Sequence, residues 1–267
     1  MSFEHKKSLG QNFLNSDYVP KKMCDAGEVV ASDFILEIGP GTGALTRELL
    51  KRGAKVLALE ADIRAIEELQ KTFSREIAAG QLEVRHFDAR EVSAEELGLK
   101  SGEFKVIANI PYYISGLLFR KILDVDVQPK TLVFLIQKEV AERIARDSKE
   151  SLLSLSIKVF GDPSYISTIK KSHFTPPPKI DSAIIAVKDI GQEKINPSSR
   201  DLFFKLIHFG FAQKRKQLLG NLTAEYSRDT LEEMFEQLKI PKDIRAEDVP
   251  LEKWLELTSK IQSGPKL

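Results

Sequence analysis

The segment Asn109-Ile110-Pro111-Tyr112 has the groups needed to help methylate an exocyclic amine. Such an amine on a purine is a poor nucleophile, because its lone pair is delocalised into the ring. Two acceptors aimed at its hydrogens, the Asn109 side-chain oxygen and the Ile110 carbonyl, would localise that lone pair towards a methyl donor. Pro111 stiffens this backbone, and Tyr112 offers a face on which a base can stack. The alternative is a plain proline turn beside a buried tyrosine.

The stretch from Glu37 to Gly43 is a glycine-rich turn suited to binding a nucleotide. Gly39 and Gly41 let backbone amides approach a ligand at the positive end of a helix. Glu60 ends the next apolar run, where a carboxylate can accept hydrogen bonds from both hydroxyls of a ribose. A structural turn and a solvated carboxylate are the alternatives. The combination favours a ribose-containing cofactor.

Two features favour S-adenosylmethionine over a nicotinamide dinucleotide. A dinucleotide-binding fingerprint requires a third glycine near position 44, where this chain has Ala44. Asp88 follows the third predicted strand, where a carboxylate can bind the amine of an adenine. Taken alone, Asp88 is also a good helix cap or turn residue. A Rossmann-fold oxidoreductase is the competing class, but nothing in the chain marks a hydride-transfer residue or a nicotinamide pocket.

The elements that position these residues alternate between strand and helix. Apolar runs at 34–38, 55–59, 82–86, 104–108 and 131–136 predict strands, and helical spacing predicts helices at 43–52 and around 63–69. This alternation predicts right-handed crossovers and a mostly parallel sheet, covered on both faces. Two later strands, 164–170 and 182–187, have only a proline-rich loop between them, so they predict an antiparallel edge. We therefore predict an α/β, Rossmann-like fold.

The chain becomes helical after about residue 188. Helices are predicted at 202–211, 228–238 and 251–261. We expect Phe203 and Trp254 to belong to the core of this part rather than to a ligand site. The predicted domains are therefore a cofactor-binding domain at 1–188 and a small all-helical domain at 189–267.

The composition is that of a soluble globular protein, with 42% hydrophobic and 30% charged residues. No apolar run approaches the roughly 20 residues of a membrane span. The first residues lack the apolar core of a secretory signal, so we expect a cytoplasmic protein. The single cysteine, Cys24, excludes an intrachain disulfide, and the four scattered histidines predict no metal site.

The net charge of +1 does not by itself indicate nucleic acid. Basic residues cluster at Lys6-Lys7 with Lys21-Lys22, at Lys170-Lys171 with Lys179, and at Lys214-Arg215-Lys216. Each cluster alone is the usual solvated surface. If they converge on one site, they predict RNA binding through phosphate contacts, with Lys179, Lys214, Arg215 and Lys216 as the candidate residues.

Four segments together resemble the ribosomal RNA branch of the N6-adenine amino-methyltransferases. These segments are Asn109–Tyr112, 7–14, 174–182 and 209–218. The resemblance runs from about residue 6 to 222 and implies a Rossmann-like methyltransferase that uses S-adenosylmethionine and releases S-adenosylhomocysteine. It also implies that Asn12 and Leu14 touch the cofactor together with Asn109, and that Phe174 flanks the target base.

Two subfamilies share this layout. The triple proline at 176–178 and the segment 209–218 are similar to the enzymes that dimethylate two adjacent adenosines in the 3′-terminal hairpin of small-subunit rRNA. That resemblance implies the immature small subunit as partner, and we expect a monomer. The erythromycin-resistance type, which modifies large-subunit rRNA, and a non-catalytic assembly factor remain the alternatives. Lys214 and Tyr113 depart from the family pattern, and Tyr113 bears on how a base fits.

Overall fold

The structure is a computed structural model that describes residues 12–263. The predicted motif at 7–14 is therefore described only from Asn12 onwards, and Lys6 and Lys7 lie outside the described residues. Within the described chain, residues 12–142 and 162–190 form one compact unit, and residues 143–161 and 191–263 form a second.

Nine strands occur in the first unit. They are β1 (Phe13–Leu14), β2 (Phe34–Ile38), β3 (Lys55–Glu60), β4 (Leu82–His86), β5 (Phe104–Asn109), β6 (Thr131–Gln137), β7 (Asp162–Ile169), β8 (Phe174–Thr175) and β9 (Ser182–Lys188). Helices α1 (Tyr18–Ala26), α2 (Ala44–Lys51), α3 (Ile63–Thr72), α4 (Ser74–Ala78) and α5 (Ser115–Leu123) also belong to it, and α6 (Lys138–Ala145) begins there.

Seven of these strands form one sheet in the order β4-β3-β2-β5-β6-β9-β7. The first five are parallel to one another, while β9 runs antiparallel to both β6 and β7. All residues of β6 between its two ends are buried, as expected for a central strand covered on both faces. The predicted fold class, a mostly parallel sheet with an antiparallel edge, is confirmed.

A second, two-stranded sheet pairs β1 with β8 and was not predicted. Phe13 lies opposite Thr175, and Leu14 opposite Phe174. The Asn15 side chain extends this junction, donating to the Ser172 carbonyl and to the Thr175 hydroxyl, both at 3.1 Å. Two-residue strands are too short to give an alternating pattern, which explains why sequence periodicity missed them.

Helix α1 packs Cys24 into the core of the first unit. The residue is fully buried and has no disulfide partner. Burial raises the pKa of its thiol to about 12. The side chain therefore acts as a small apolar group.

The second unit is helical. It contains α7 (Leu152–Lys158), α8 (Arg200–Gly210), α9 (Leu218–Leu222), α10 (Arg228–Gln237) and α11 (Leu251–Ser263). Phe203, Phe235 and Trp254 are fully buried, as expected for a helical core. Residues 143–161 also belong to this unit, although the sequence placed them in the first domain. The chain thus enters the second unit before it returns to form β7.

Gly210, the last residue of α8, allows α11 to pack closely. A Cβ at this position would lie 2.3 Å from Trp254 Cη2 and 2.9 Å from Leu218 Cδ1. Because a buried indole cannot move aside easily, Gly210→Ala should lower the free energy of unfolding by about 1–3 kcal/mol.

Gly220→Ala on α9 is the matched control. A Cβ there meets only the flexible Lys216 side chain, with its Cε at 2.8 Å. The alanine also improves helix propensity, so this variant should be as stable as the wild type or more stable. Urea unfolding of both variants tests the prediction. Equal stability of the two would show that the Trp254 contact does not constrain position 210.

Across residues 12–263, no helix is long and apolar enough to cross a membrane. The same residues contain no group of three or more His, Cys, Asp or Glu side chains placed to hold a metal ion.

Candidate functional site

A pocket of the first unit opens where β2, β3, β4 and β5 end. This is the edge at which open α/β sheets bind their ligands. The predicted catalytic and cofactor-binding residues all line it: Asn12, Leu14, Gly39, Gly41, Glu60, Asp88, Asn109, Ile110, Pro111 and Tyr112. The structure therefore brings together residues from five separate parts of the sequence.

The glycine turn between β2 and α2 forms the floor of this pocket. Gly41 has φ +56°, a left-handed conformation that side chains other than glycine rarely adopt. A Cβ at Gly41 would also lie 2.7 Å from the Phe13 ring, so the glycine lets β1 close over the turn. The Gly41 amide then donates to the Glu60 carboxylate at 3.0 Å.

The carboxylate of Glu60 is buried and held by backbone amides. Its Oε1 accepts from the amides of Ala61 and Asp62, each at 2.9 Å, and its Oε2 accepts from Gly41. Burial raises the pKa of Glu60 in spite of these bonds. A carboxylate has about four acceptor positions, so one remains, on Oε2, for a ligand hydroxyl. Glu60 can thus accept from one ribose hydroxyl, whereas the sequence predicted bonds from both.

We expect Glu60→Ala to weaken S-adenosylmethionine binding by about 1.5–3 kcal/mol, as for a lost hydrogen bond to a charged group. The variant also frees the Gly41 amide that shapes the turn. Calorimetric titration with the cofactor measures this loss, and Glu83→Ala, at an exposed position of β4, is the control. An unchanged affinity in the Glu60 variant would remove this residue from the site.

Asn109 lies at the end of β5, and a hydrogen bond orients its side-chain amide group. Its Nδ2 donates to the Asn12 backbone carbonyl at 3.2 Å. This bond turns the Oδ1 atom away from Asn12, so Oδ1 remains available as a hydrogen-bond acceptor. The Ile110 backbone follows directly, and its side chain is 2% exposed, which anchors the segment. Asn109 Oδ1 is thus placed as one acceptor in the pocket wall, and the role of the Ile110 carbonyl stays a prediction.

Tyr112 is fixed by a residue that the sequence analysis did not assign a role. Its hydroxyl lies 2.6 Å from the Ser182 hydroxyl, at the start of β9. Burial raises the pKa of this phenol, so it remains protonated at neutral pH. Ser182 is the last residue of the 174–182 motif, and that motif was the only signal that could have found it. The bond holds the Tyr112 ring along the pocket wall.

Asp88 lines the pocket and also caps a short 3-10 helix, Ala89–Glu91. It accepts from the Arg90 amide at 2.9 Å, and Arg90 Nε lies 3.0 Å from each of its oxygens. The Arg90 hydrogen bonds lower the pKa of Asp88, so its carboxylate is charged at neutral pH. Arg90 itself lines the pocket, which its position in the sequence did not indicate.

Glu37 is a second buried carboxyl group in the pocket wall and was not predicted as a site residue. It is 1% exposed, and the Thr46 hydroxyl donates to its Oε2 at 2.8 Å. Burial raises the pKa of Glu37 to about 8, and the nearby Glu60 adds to this effect. Glu37 is thus mostly protonated at neutral pH, so the pocket wall has one neutral acid.

Other predicted substrate residues do not line the pocket. Phe174 is 2% exposed and packs in the core of the first unit, so its ring has no free face for a base in this conformation. The stacking role predicted for Phe174 stays a prediction. Lys179 is exposed on the loop before β9, and Lys214, Arg215 and Lys216 are exposed in the second unit.

Comparison with known proteins gives consistent matches over the whole chain. A model of the family described as ribosomal RNA adenine dimethylase matches residues 2–263. Ribosomal RNA small subunit methyltransferase A of Fusobacterium nucleatum is 38% identical, over 99% of this chain and 100% of the relative. The protein of the same name from Dehalococcoides mccartyi is 35% identical, over 97% of this chain and 89% of the relative.

Solved structures agree on the fold. A dimethyladenosine transferase from Plasmodium falciparum has a TM-score of 0.78 at 27% identity, over 94% of this chain and 97% of that structure. The 23S rRNA methyltransferase ErmE has a TM-score of 0.75 over 94% of this chain and 100% of that structure. Its identity is 22%, so this likeness concerns the fold alone.

Proposed function

We infer the function from one premise: the chain belongs to the ribosomal RNA adenine dimethylase family. It is accordingly a methyltransferase that acts on ribosomal RNA with S-adenosylmethionine as methyl donor. We propose that it dimethylates the N6 amines of two adjacent adenosines in the 3′-terminal hairpin of small-subunit rRNA. Relatives that are 30–38% identical and named for the small subunit support this choice over large-subunit rRNA.

We propose Asn12, Leu14, Gly39, Gly41, Glu60, Asp88 and Asn109 as the residues that hold the cofactor. The pocket fits this group in two respects: Glu60 keeps one acceptor for a ribose hydroxyl, and the Gly41 amide closes the turn beneath it. Bound S-adenosylmethionine supplies a methyl group on a positively charged sulfur. The chemistry assigned to the chain itself is the positioning and activation of the amine.

The orientation of Asn109 is the observation that carries the mechanism. Because its Nδ2 donates to the Asn12 carbonyl, its Oδ1 can accept a hydrogen bond from the adenine amine. The Ile110 carbonyl accepts from the other amine hydrogen, and Pro111 limits the movement of that carbonyl. Both acceptors localise the nitrogen lone pair, and they gain strength as the nitrogen becomes positive in the transition state. The extra proton then becomes acidic, so no strong base is needed.

A target adenosine in a hairpin must leave its stack to reach the methyl donor. We assign the Tyr112 ring as the surface on which the flipped base rests, since the Ser182 hydroxyl holds that ring in place. The product of the first transfer keeps one amine hydrogen. It must rotate before the second transfer, so the pocket must also accept an N6-methyl group.

The experiment for this function is primer extension across small-subunit rRNA from cells with and without the protein. We expect two adjacent stops near the 3′ end only when the protein is present. A stop in large-subunit rRNA instead would favour the erythromycin-resistance type. Unchanged rRNA together with defective subunit assembly would favour a non-catalytic assembly factor.

We further propose that the helical unit binds the immature small subunit through Lys214, Arg215 and Lys216, and that Lys179 contributes from the first unit. All four side chains are exposed. We place this activity in the cytoplasm and expect the protein to act as a monomer.

Charge reversal at Arg215 should lower the affinity for small-subunit particles, since each neutralised phosphate contributes through counterion release. The salt dependence of particle binding should fall by the equivalent of about one phosphate contact. The affinity for the cofactor, measured by calorimetry, should stay unchanged. Arg228→Glu, in α10, is the control for a general change of charge. Unchanged particle binding at physiological salt in the Arg215 variant would exclude this cluster from the RNA interface.

A further inference from the structure

The outer face of α5 carries apolar side chains next to the pocket. Tyr113, in the turn before α5, is 66% exposed, and Leu117 is 40% exposed. Between them, a Cβ added at Gly116 would meet no atom within 4 Å. Tyr113 lies in the 3-10 helix Tyr112–Ile114, which runs directly into α5, and positions 113, 116 and 117 are all exposed, so they form one open strip. We call this strip the α5 face.

The α5 face begins at the pocket mouth, because Tyr113 also lines the pocket. The 3-10 helix that carries Arg90 packs against α5, and Arg90 lines the same mouth. Hydrogen bonds to Asp88 raise the pKa of Arg90, and the nearby Tyr113 phenol adds to this effect. Three residues beyond Leu117, the Arg120 side chain is 69% exposed, and its Nε lies 3.7 Å from the Asp124 carboxylate. The strip therefore has a guanidinium group near each end, and each of them lies beside one carboxylate.

This combination matches an unpaired nucleotide. Proteins bind single-stranded RNA by stacking its bases on aromatic rings and by neutralising its phosphates with cationic side chains. A cofactor enclosed in the pocket would leave the outer part of the strip uncovered, whereas a polymer must continue beyond the pocket. Flipping the target adenosine also unstacks the base beside it, which then needs a new apolar surface.

We propose that the α5 face binds the nucleotide next to the adenosine being methylated. Its base stacks on the Tyr113 ring, over Gly116 and Leu117, and Arg120 lies near the backbone phosphate beyond it. Tyr113 is then a specificity-determining residue that contacts RNA. The inference rests on the proposed function, since it requires an RNA substrate whose target base is flipped.

Steady-state methylation of unmethylated small-subunit particles tests the contact. Tyr113→Ala should raise the KM for particles about tenfold, with S-adenosylmethionine affinity unchanged, while Tyr113→Phe keeps the ring and stays near wild type. Val30→Ala, an exposed apolar position before β2, is the control and should not change the KM. Arg120→Ala should raise the KM and reduce its salt dependence, unlike Arg75→Ala on α4.

Photo-cross-linking tests the location. Benzoylphenylalanine placed at position 113 should cross-link to a nucleotide that flanks the methylated adenosines, and at position 30 it should not. Cross-links elsewhere would overturn the proposal. The proposal would also be overturned if Tyr113→Ala weakened cofactor binding and left the KM for particles unchanged. That result would assign the ring to the cofactor. If the proposed function is wrong, the wild type itself will methylate a different RNA. The cross-links would then be mapped on that RNA.

Discussion

Replacing Asn109 with alanine should lower the rate of methylation by about 10²–10³-fold, the usual loss when one group that stabilises a transition state is removed. In the proposed mechanism the side chain supplies one of the two acceptors for the amine, and the Asn12 carbonyl sets its orientation. Cofactor affinity should fall as well, because Asn109 lines the pocket wall. The loss in kcat should exceed the loss in binding, since the acceptor acts mainly on the charged transition state.

Asn109→Asp separates the acceptor role from the orientation. Aspartate keeps an acceptor, but its second oxygen faces the Asn12 carbonyl and can no longer donate to it. We therefore expect this variant to be strongly impaired too. Mass spectrometry of rRNA from particles treated with each variant measures the outcome. Full dimethylation by Asn109→Ala would show that the catalytic centre lies elsewhere.

The wild type should lose stability towards alkaline pH because of the Glu37 carboxyl group, and Glu37→Gln should not show this loss. Burial raises the pKa of Glu37 in the folded protein from an ordinary value of about 4.5 to about 8. The folded protein therefore holds this proton where the unfolded chain has lost it, and stability falls as the pH rises from about 4.5 to about 8. A pKa difference of this size corresponds to on the order of 3–5 kcal/mol.

Glutamine keeps the acceptor for the Thr46 hydroxyl and carries no charge. The variant should therefore be more stable than the wild type at about pH 9, and the difference should vanish below about pH 4.5. Urea unfolding at several pH values, in the absence of cofactor, measures the two curves. Parallel curves across this range would mean that water or a neighbouring group keeps Glu37 ionised in the folded protein.

The strong periodic segments of the sequence were sufficient to predict the sheet and its antiparallel edge. The Asn109–Tyr112 motif located the pocket because its residues are adjacent in the chain. The ionisation of Glu37 could not be predicted, since it depends on burial between elements distant in sequence. Arg90 was missed because nothing in the sequence indicated that its side chain pairs with Asp88. The burial of the Phe174 ring could not be predicted, because a family resemblance carries no information on how a ring packs.

The buried thiol of Cys24 makes this protein convenient for site-specific labelling. With a pKa of about 12 and no exposed surface, the only native cysteine reacts negligibly with maleimides at neutral pH. A cysteine introduced at Leu117 would therefore be the single reactive thiol, with no need to remove the native one first. A fluorophore attached there could report the arrival of a ribosomal particle in real time.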